Sequence, residues 1–225
     1  QDEYAHESHR RALASMERGD FRDEIVPVTV RQRSGEQLVT NDEGPRADST
    51  FERLSQLRPM FAGTSGTGSV TAGNASMISD GAAAVVVCSQ TFQQSHELKP
   101  FARIVSYATT GTAPQDLFIA PVAAIQKAVS LAGLSLEQID LFEINEAFAV
   151  QTLACMQRLG LSREKVNVQG GAIALGHPLG ASGARVAVTL LHALEQRGLR
   201  FGVASLCLGG GNAVAAVFES LTVPR

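Results

Sequence analysis

A layered α/β fold is predicted from three observations. From Ala82 onward, short apolar runs alternate with amphipathic stretches of helical length. The chain closes on two strand-like runs around Gly209-Gly210-Gly211, a hairpin signature. Charge also divides the chain, because residues 1–60 hold 21 of the 41 charged side chains. The front therefore reads as a solvated, open segment and the rest as a compact core. Strands alternating with helices and ending in a hairpin indicate a layered α/β domain.

The elements follow in order. Gln1 to Glu17 reads as a polar helix ended by Gly19. Glu24 to Val30 reads as a strand, and Asp48 as the cap of a short helix through Leu57. Gly63 to Ser69 is glycine-rich and reads as a flexible loop. Ala82 to Cys88 is a continuous apolar run suited to a strand buried on both faces. Phe92 to Leu98 reads as a short helix and Phe101 to Ala108 as a strand. Pro121 to Ala132 reads as a helix stopped by Gly133, and Asp140 to Ile144 as a strand. Asn145 is expected to open a helix running to Leu159. Val166 to Val168 is a short strand and Ser182 to Gln196 a helix. Phe201 to Cys207 and Ala213 to Leu221 form the hairpin.

Composition narrows the function classes. A chain of 225 residues, 44% hydrophobic, can bury a sizeable core as one or two domains. No apolar run is long enough to span a bilayer, and Gln1 to His6 does not read as a signal peptide. A net charge of −3 argues against nucleic acid as the main partner. Cys88, Cys155 and Cys207 are odd in number and show neither CxxC nor metal spacing, so a reducing compartment, cytoplasmic or similar, is expected. Cys88 and Cys155 sit in apolar runs and read as small buried hydrophobes. The glycine-rich stretches include no GxGxxG after a strand and no GxxxxGK[ST].

Three stretches carry chemistry. His177 lies between Gly176 and Pro178, on a rigid loop and outside a helix. A histidine held there can take a proton from a thiol near neutral pH. The plain alternative is a loop histidine bonded to backbone, but Gly180 to Gly183 and the helix after them place free N–H groups beside it. Cys207 ends an apolar strand and meets three glycines, where backbone amides are unobstructed. Its alternative is a buried cysteine before a turn that needs glycine in any case. Asn145, in Asn145-Glu146-Ala147-Phe148, is suited to an N-cap, with Glu146 in the first helical turn.

Taken together, the Asn-Glu-Ala-Phe stretch, Gly176-His177-Pro178-Leu179-Gly180-Ala181-Ser182-Gly183 and Cys207-Leu208-Gly209-Gly210-Gly211 resemble the thiolase family, essentially from Gln1 to Leu221. The resemblance implies a layered α-β-α core and carbon–carbon bond chemistry between acyl-CoA molecules. It implies that His177 activates a nucleophilic cysteine and helps bind the thioester oxygen. Cys207 becomes the acid/base at the α-carbon, the Gly209 N–H part of an oxyanion hole, and Asn145 the holder of a water completing the other. Phe148 lines the acyl pocket. Ser76, in Val70 to Ser76, contacts the pantetheine arm, and Arg46 lies near the nucleotide end of CoA, although a solvated surface arginine is its alternative. Leu117-Phe118-Ile119-Ala120-Pro121 stands where Met-Gly-x-Gly-Pro is commoner in the loop over the acyl group, and the Gly63 to Ser69 loop looks longer than usual.

The nucleophilic cysteine of the family's front half has no counterpart in these residues. The implied organisation is 1–75 as part of the CoA-binding loop domain, 76–98 as closing elements of the N-terminal domain, and 99–225 as the C-terminal domain. The implied reaction is condensation of two acetyl-CoA to acetoacetyl-CoA and its reversal, in lipid metabolism, with CoA thioesters as substrates and no cofactor or metal. A 3-ketoacyl-CoA thiolase activity of β-oxidation is the near alternative. A ketoacyl synthase fits less well, because that group has a second histidine where Cys207 stands. A non-catalytic CoA-binding or assembly role is the alternative of another class. Expected partners are acyl-CoA and CoA, the front half of the enzyme on the same or a separate chain, and a second copy in a homodimer or tetramer, with no nucleic acid and no membrane.

Overall fold

The computed structural model describes residues 1–33, 35–61 and 68–222. It opens with helix α1 (Asp2–Arg18), stopped by Gly19 in the left-handed conformation at φ 78°. Although rich in charge, α1 is no open segment, because Tyr4, Ala5, Ser8, His9, Ala12 and Ser15 are buried. Small and hydroxyl-bearing residues at helical spacing let it dock tightly, with its polar atoms satisfied across the contact. Arg11 reinforces the docking by donating to the carbonyls of Arg163, Val166 and Asn167.

The expected strand at Glu24 starts later, because Pro27 has no N–H to give to a ladder. Strand β1 (Val28–Gln32) instead pairs antiparallel with β2 (Gly35–Val39), a partner not foreseen. Thr50, not Asp48, caps the short helix α2 (Phe51–Leu54), accepting from the Arg53 N–H. Asp48 pairs with the Arg53 guanidinium instead. The loop expected at Gly63 to Ser69 lies, apart from Gly68 and Ser69, outside the described residues.

The largest departure is Ala82 to Cys88. The run forms no regular secondary structure and pairs with no strand among the described residues, and Val86 is 98% exposed. Cys88 is likewise exposed and not a buried hydrophobe. An apolar run becomes a buried strand only where neighbours supply both ladder edges and both faces. Helix α3 (Gln90–Ser95) follows, capped by the Ser89 hydroxyl and placed slightly earlier than expected.

The rest is a three-layer α/β unit. Strand β3 (Ala102–Gly111), helix α4 (Ala120–Leu131), strand β4 (Leu141–Ile144), helix α5 (Ala149–Leu159), the single turn α6 (Ala172–Leu175), helix α7 (Ser182–Gln196) and the hairpin β5 (Phe201–Leu208) and β6 (Asn212–Ser220) follow in order. The sheet order is β3–β6–β5–β4, antiparallel except for the parallel β5–β4 pair. One face, with Phe142, Ile144, Val203 and Val217, packs against Ile125, Val129, Cys155 and Leu159 of α4 and α5. The other, with Leu141, Ala204 and Leu206, packs against Val186, Leu190 and Leu194 of α7. Leu190 and Leu194 are fully buried, and each contributes on the order of 1.5–3 kcal/mol. Val166 and Val168 form only isolated bridges and not a strand. No helix among the described residues is long and apolar enough to cross a membrane.

Asn145 does not open α5. The helix begins at Ala149, with Phe148 extended at its N-cap. The Asn145 N–H instead continues the parallel ladder, donating to Ser205 O at 2.9 Å. Because β4 and β5 run parallel, Asn145, just past β4, and Cys207, near the end of β5, lie at the same carboxyl-end edge of the pair, where open α/β sheets bind their ligands.

Candidate active site

The site grows from that edge. Its centre is a hydrogen-bonded row, in which Asn145 Nδ2 lies 3.3 Å from His177 Nε2 and His177 Nδ1 lies 2.6 Å from Ser182 Oγ. Ser182 sits in the first turn of α7 and also donates to Pro178 O at 2.9 Å. The His177 N–H donates to Met77 O at 3.1 Å, so the loop is tied at its backbone as well as its ring. Asn145 is 1% exposed, and its Oδ1 is buried without a partner among the described residues. Half-burial pulls the His177 pKa below the usual imidazole value, and the nearby Arg185 cation adds to this. Both effects favour the uncharged ring.

Beneath Asn145, buried Glu146 accepts from four donors: Tyr4 Oη at 2.8 Å, Ser8 Oγ at 2.7 Å, Asn167 Nδ2 at 3.0 Å and the Ile173 N–H at 3.1 Å. A Cβ on Gly171 would come within 2.4 Å of its carboxyl carbon, so only glycine lets the backbone pass. Glu146 thus ties α1, the end of β4 and the α6 turn together, and does not serve a first helical turn as its sequence position suggests.

On the other side, Ala75 bridges Phe148 and the Ser76 N–H donates to Ala147 O at 3.0 Å. Ser76, half-buried, therefore runs between the Phe148 loop and the His177 loop. Phe148 meets Phe118 edge to face at 5.0 Å. Leu117 is half-buried on the same turn. That turn is anchored at both ends, because Cys155 donates to Phe118 O at 3.5 Å and the Thr112 N–H donates to Gly211 O at 2.7 Å. Gly211 has φ 92°, and a Cβ there would lie 2.5 Å from Thr112 O. Gly209 is exposed in the turn after Cys207. Burial raises the Cys207 thiol above its usual pKa and pushes Cys155, chiefly by the same cause, up to about 11. Cys155 is 0% exposed, the inert core thiol its sequence suggested.

Residues 98–220 match the thiolase C-terminal domain, and residues 1–91 match the thiolase N-terminal domain. This chain belongs to the thiolase family. Acetyl-CoA acetyltransferase of Escherichia coli is 53% identical over 221 residues, covering 98% of this chain and 55% of that protein. The cytosolic acetyl-CoA acetyltransferase of Rattus norvegicus is 53% identical over 215 residues, covering 96% and 54%. Among solved structures, the Bacillus anthracis acetyl-CoA acetyltransferase superposes with a TM-score of 0.95 at 49% identity, covering 98% of this chain and 55% of its own. Human mitochondrial 3-ketoacyl-CoA thiolase gives 0.89 at 42% identity, covering 97% and 55%. The chain therefore spans about half the length of the curated relatives it matches.

In this thiolase, tertiary structure joins Asn145 and His177 by a hydrogen bond, and the β4 and β5 ends bring Cys207 to the same edge. Phe148, Phe118 and Ser76 frame the site on one side. Arg46 stands apart. Its side chain is exposed and makes no hydrogen bond among the described residues, while its N–H donates to His9 Nδ1 at 3.2 Å. The sequence marks Ser182 and Glu146, two residues that hold the site together, only as a helix start and a first-turn acid. Their one signal was proximity to His177 and Asn145 along the chain.

Proposed function

We propose that this thiolase chain carries the base and the proton-transfer thiol of an acyltransferase that condenses two acetyl-CoA to acetoacetyl-CoA, and cleaves acetoacetyl-CoA with CoA in reverse. The supporting observation is the Asn145–His177–Ser182 row at the sheet edge from which Cys207 also emerges. His177 Nε2 takes the proton of a nucleophilic cysteine lying outside these residues. That sulfur attacks the thioester carbonyl of the first acetyl-CoA, and CoA leaves as a thiol by taking the Cys207 proton, which leaves Cys207 as a thiolate. Cys207 then removes the α-proton of the second acetyl-CoA. The carbanion attacks the acyl-enzyme carbonyl, forming the new carbon–carbon bond and releasing the enzyme sulfur, which regains its proton from His177. A thiol with a raised pKa rests protonated, and its thiolate is the stronger base once formed. Asn145 and the Gly209 N–H serve the two oxyanion sites. Ser76 and Arg46 meet the CoA arm and nucleotide, and Phe148, Leu117 and Phe118 bound the acyl group.

The same reading takes residues 1–75 as part of the CoA-binding loop domain, 76–98 as the closing elements of the N-terminal domain, and 99–225 as the C-terminal domain. CoA thioesters are the substrates, and no cofactor takes part. The front half and a second copy are the partners, and a reducing compartment suits three unpaired cysteines. Longer 3-ketoacyl-CoA substrates are the second reading, supported by the likeness to human mitochondrial 3-ketoacyl-CoA thiolase. The test is labelled acetyl trapping in the complete enzyme. His177→Ala should abolish acyl-enzyme formation, while Cys207→Ser should spare it and block condensation. Equal labelling of both variants would overturn this division of roles.

A further inference from the structure

The reading of His177 as base leaves open which ring nitrogen carries the proton in the neutral imidazole. Only a bare Nε2 can accept from a thiol on the Asn145 side, yet imidazole free in water prefers its proton on Nε2. The protein must therefore impose the less common tautomer, and the partner of Nδ1 sets which one forms.

We propose that Ser182 is a positioning residue that holds His177 in the Nδ1–H tautomer, with Nε2 bare and turned toward the Asn145 side of the site. The geometry follows from counting protons. Ser182 Oγ lies 2.6 Å from His177 Nδ1 and 2.9 Å from Pro178 O. A carbonyl can only accept, so the one arrangement in which both contacts are hydrogen bonds has the hydroxyl proton on Pro178 O and the ring proton on Nδ1. The Ser182 lone pairs then face Nδ1, which must be the donor. At the other nitrogen, the Asn145 amide lies 3.3 Å from Nε2. With Nδ2 on that side, the amide N–H meets the lone pair that the Nδ1–H tautomer leaves on Nε2. The 3.3 Å bond is long, so an entering thiol displaces it at little cost.

Ser182 is able to act in this way because it cannot turn elsewhere. Its side chain is completely buried, and its own N–H also donates to Pro178 O, at 2.9 Å. The turn from His177 to Ser182 therefore closes on one carbonyl, and the first turn of α7 fixes the hydroxyl against the ring. Pro178 contributes rigidity on the His177 side. This inference rests on His177 being the base, but it can be read without turnover.

The experiment is two-bond nitrogen–proton correlation NMR on the 225-residue chain with labelled histidine, at a pH where imidazole is neutral. The His177 signals are assigned by their loss in His177→Gln. The expected result is an Nδ1–H, bare-Nε2 pattern in the parent chain. Ser182→Ala should shift the ring toward Nε2–H, and Ser182→Thr, which keeps the hydroxyl, should restore the parent pattern. If the alanine variant does not fold, Ser182→Cys keeps the volume with a much weaker acceptor and should show the same shift. An Nε2–H ring in the parent, or an unchanged tautomer in the folded Ser182→Ala or Ser182→Cys chain, overturns the proposal whatever the activity. In the complete enzyme, Ser182→Ala should slow acyl-enzyme formation by roughly 2–10-fold, the net worth of one hydrogen bond, and Ser182→Thr should recover most of that loss. If acyl transfer fails in the parent while its tautomer is as stated, only the functional reading falls.

Discussion

Removal of the Glu146 carboxylate should destabilise the fold far more than its place in an active-site motif suggests. Glu146 is 1% exposed and accepts four hydrogen bonds from three separate segments. In Glu146→Ala, not every donor is stranded. Asn167 Nδ2 keeps Ile144 O at 2.8 Å, and Ser8 Oγ still accepts from the Gly171 N–H at 3.1 Å. The Ile173 N–H loses its partner outright, while the Ser8 and Tyr4 hydroxyls, the latter still accepting from Asn167 Nδ2 at 3.2 Å, lose the acceptor for their own proton, and each unsatisfied buried donor costs about 1–3 kcal/mol. With the space left behind, the loss should total about 3–5 kcal/mol, a large share of the 5–15 kcal/mol typical of a domain. For a chain of this size, that corresponds to a fall in Tm of roughly 6–20 °C. Glu146→Gln keeps the volume but turns an amide N–H toward the Ile173 N–H, so it should cost about 1–3 kcal/mol. Denaturant unfolding followed by circular dichroism measures both. A Glu146→Ala variant within about 1 kcal/mol of the parent would refute the idea that this carboxylate joins α1 to the sheet edge.

Other outcomes follow from the same structure. On the proposed reading, these 225 residues by themselves should show no CoA-dependent cleavage of acetoacetyl-CoA, because Cys155 is buried, Cys207 is assigned to proton transfer and Cys88 ends a run that pairs with no strand among the described residues; turnover well above a Cys207→Ala control would show that Cys207 itself is acylated. The Phe118 ring packs on Phe148 and does not turn away into its own loop, so it should limit acyl length. The complete enzyme should favour acetoacetyl-CoA over 3-ketohexanoyl-CoA in kcat/KM, by on the order of 1–3 kcal/mol per methylene at most, and Phe118→Gly should narrow the gap. A flat or rising chain-length profile would favour the 3-ketoacyl-CoA reading. Burial lifts the Glu24 carboxyl from 4.5 to about 7 and that of Glu143 to about 8. Raised folded values mean that their stabilising effect is complete below about 4.5 and is lost as pH rises through about 7 and 8. Glu143→Gln should therefore lose less stability than the parent between about pH 4.5 and 8, and equal slopes in denaturant titrations would contradict this.

Most of the C-terminal half was legible before folding, because its information is local. The α7 range matches the sequence reading at both ends, and the β5–β6 hairpin does so within a residue, since amphipathic period and the glycine turn mark their own limits. The front half was less so. The Ala82 to Cys88 run carries a strand's composition but has no ladder partner among the described residues, and composition records apolarity without recording who supplies the neighbours. Asn145 fits an N-cap by type, yet the parallel pairing of β4 with β5 draws it into the sheet edge and leaves Phe148 to start α5.

The same distinction holds at the site. The sequence by itself determined which side chains are present, and its three motifs, separated by tens of residues, sufficed for the thiolase family. Only the tertiary structure decided that Asn145 meets His177, that Ser182 and not bulk water holds the other ring nitrogen, and that Glu146 is a buried junction. The physical reason is that a motif specifies residue types along the chain, whereas a tautomer or a satisfied carboxylate depends on partners brought within about 3 Å by long-range packing.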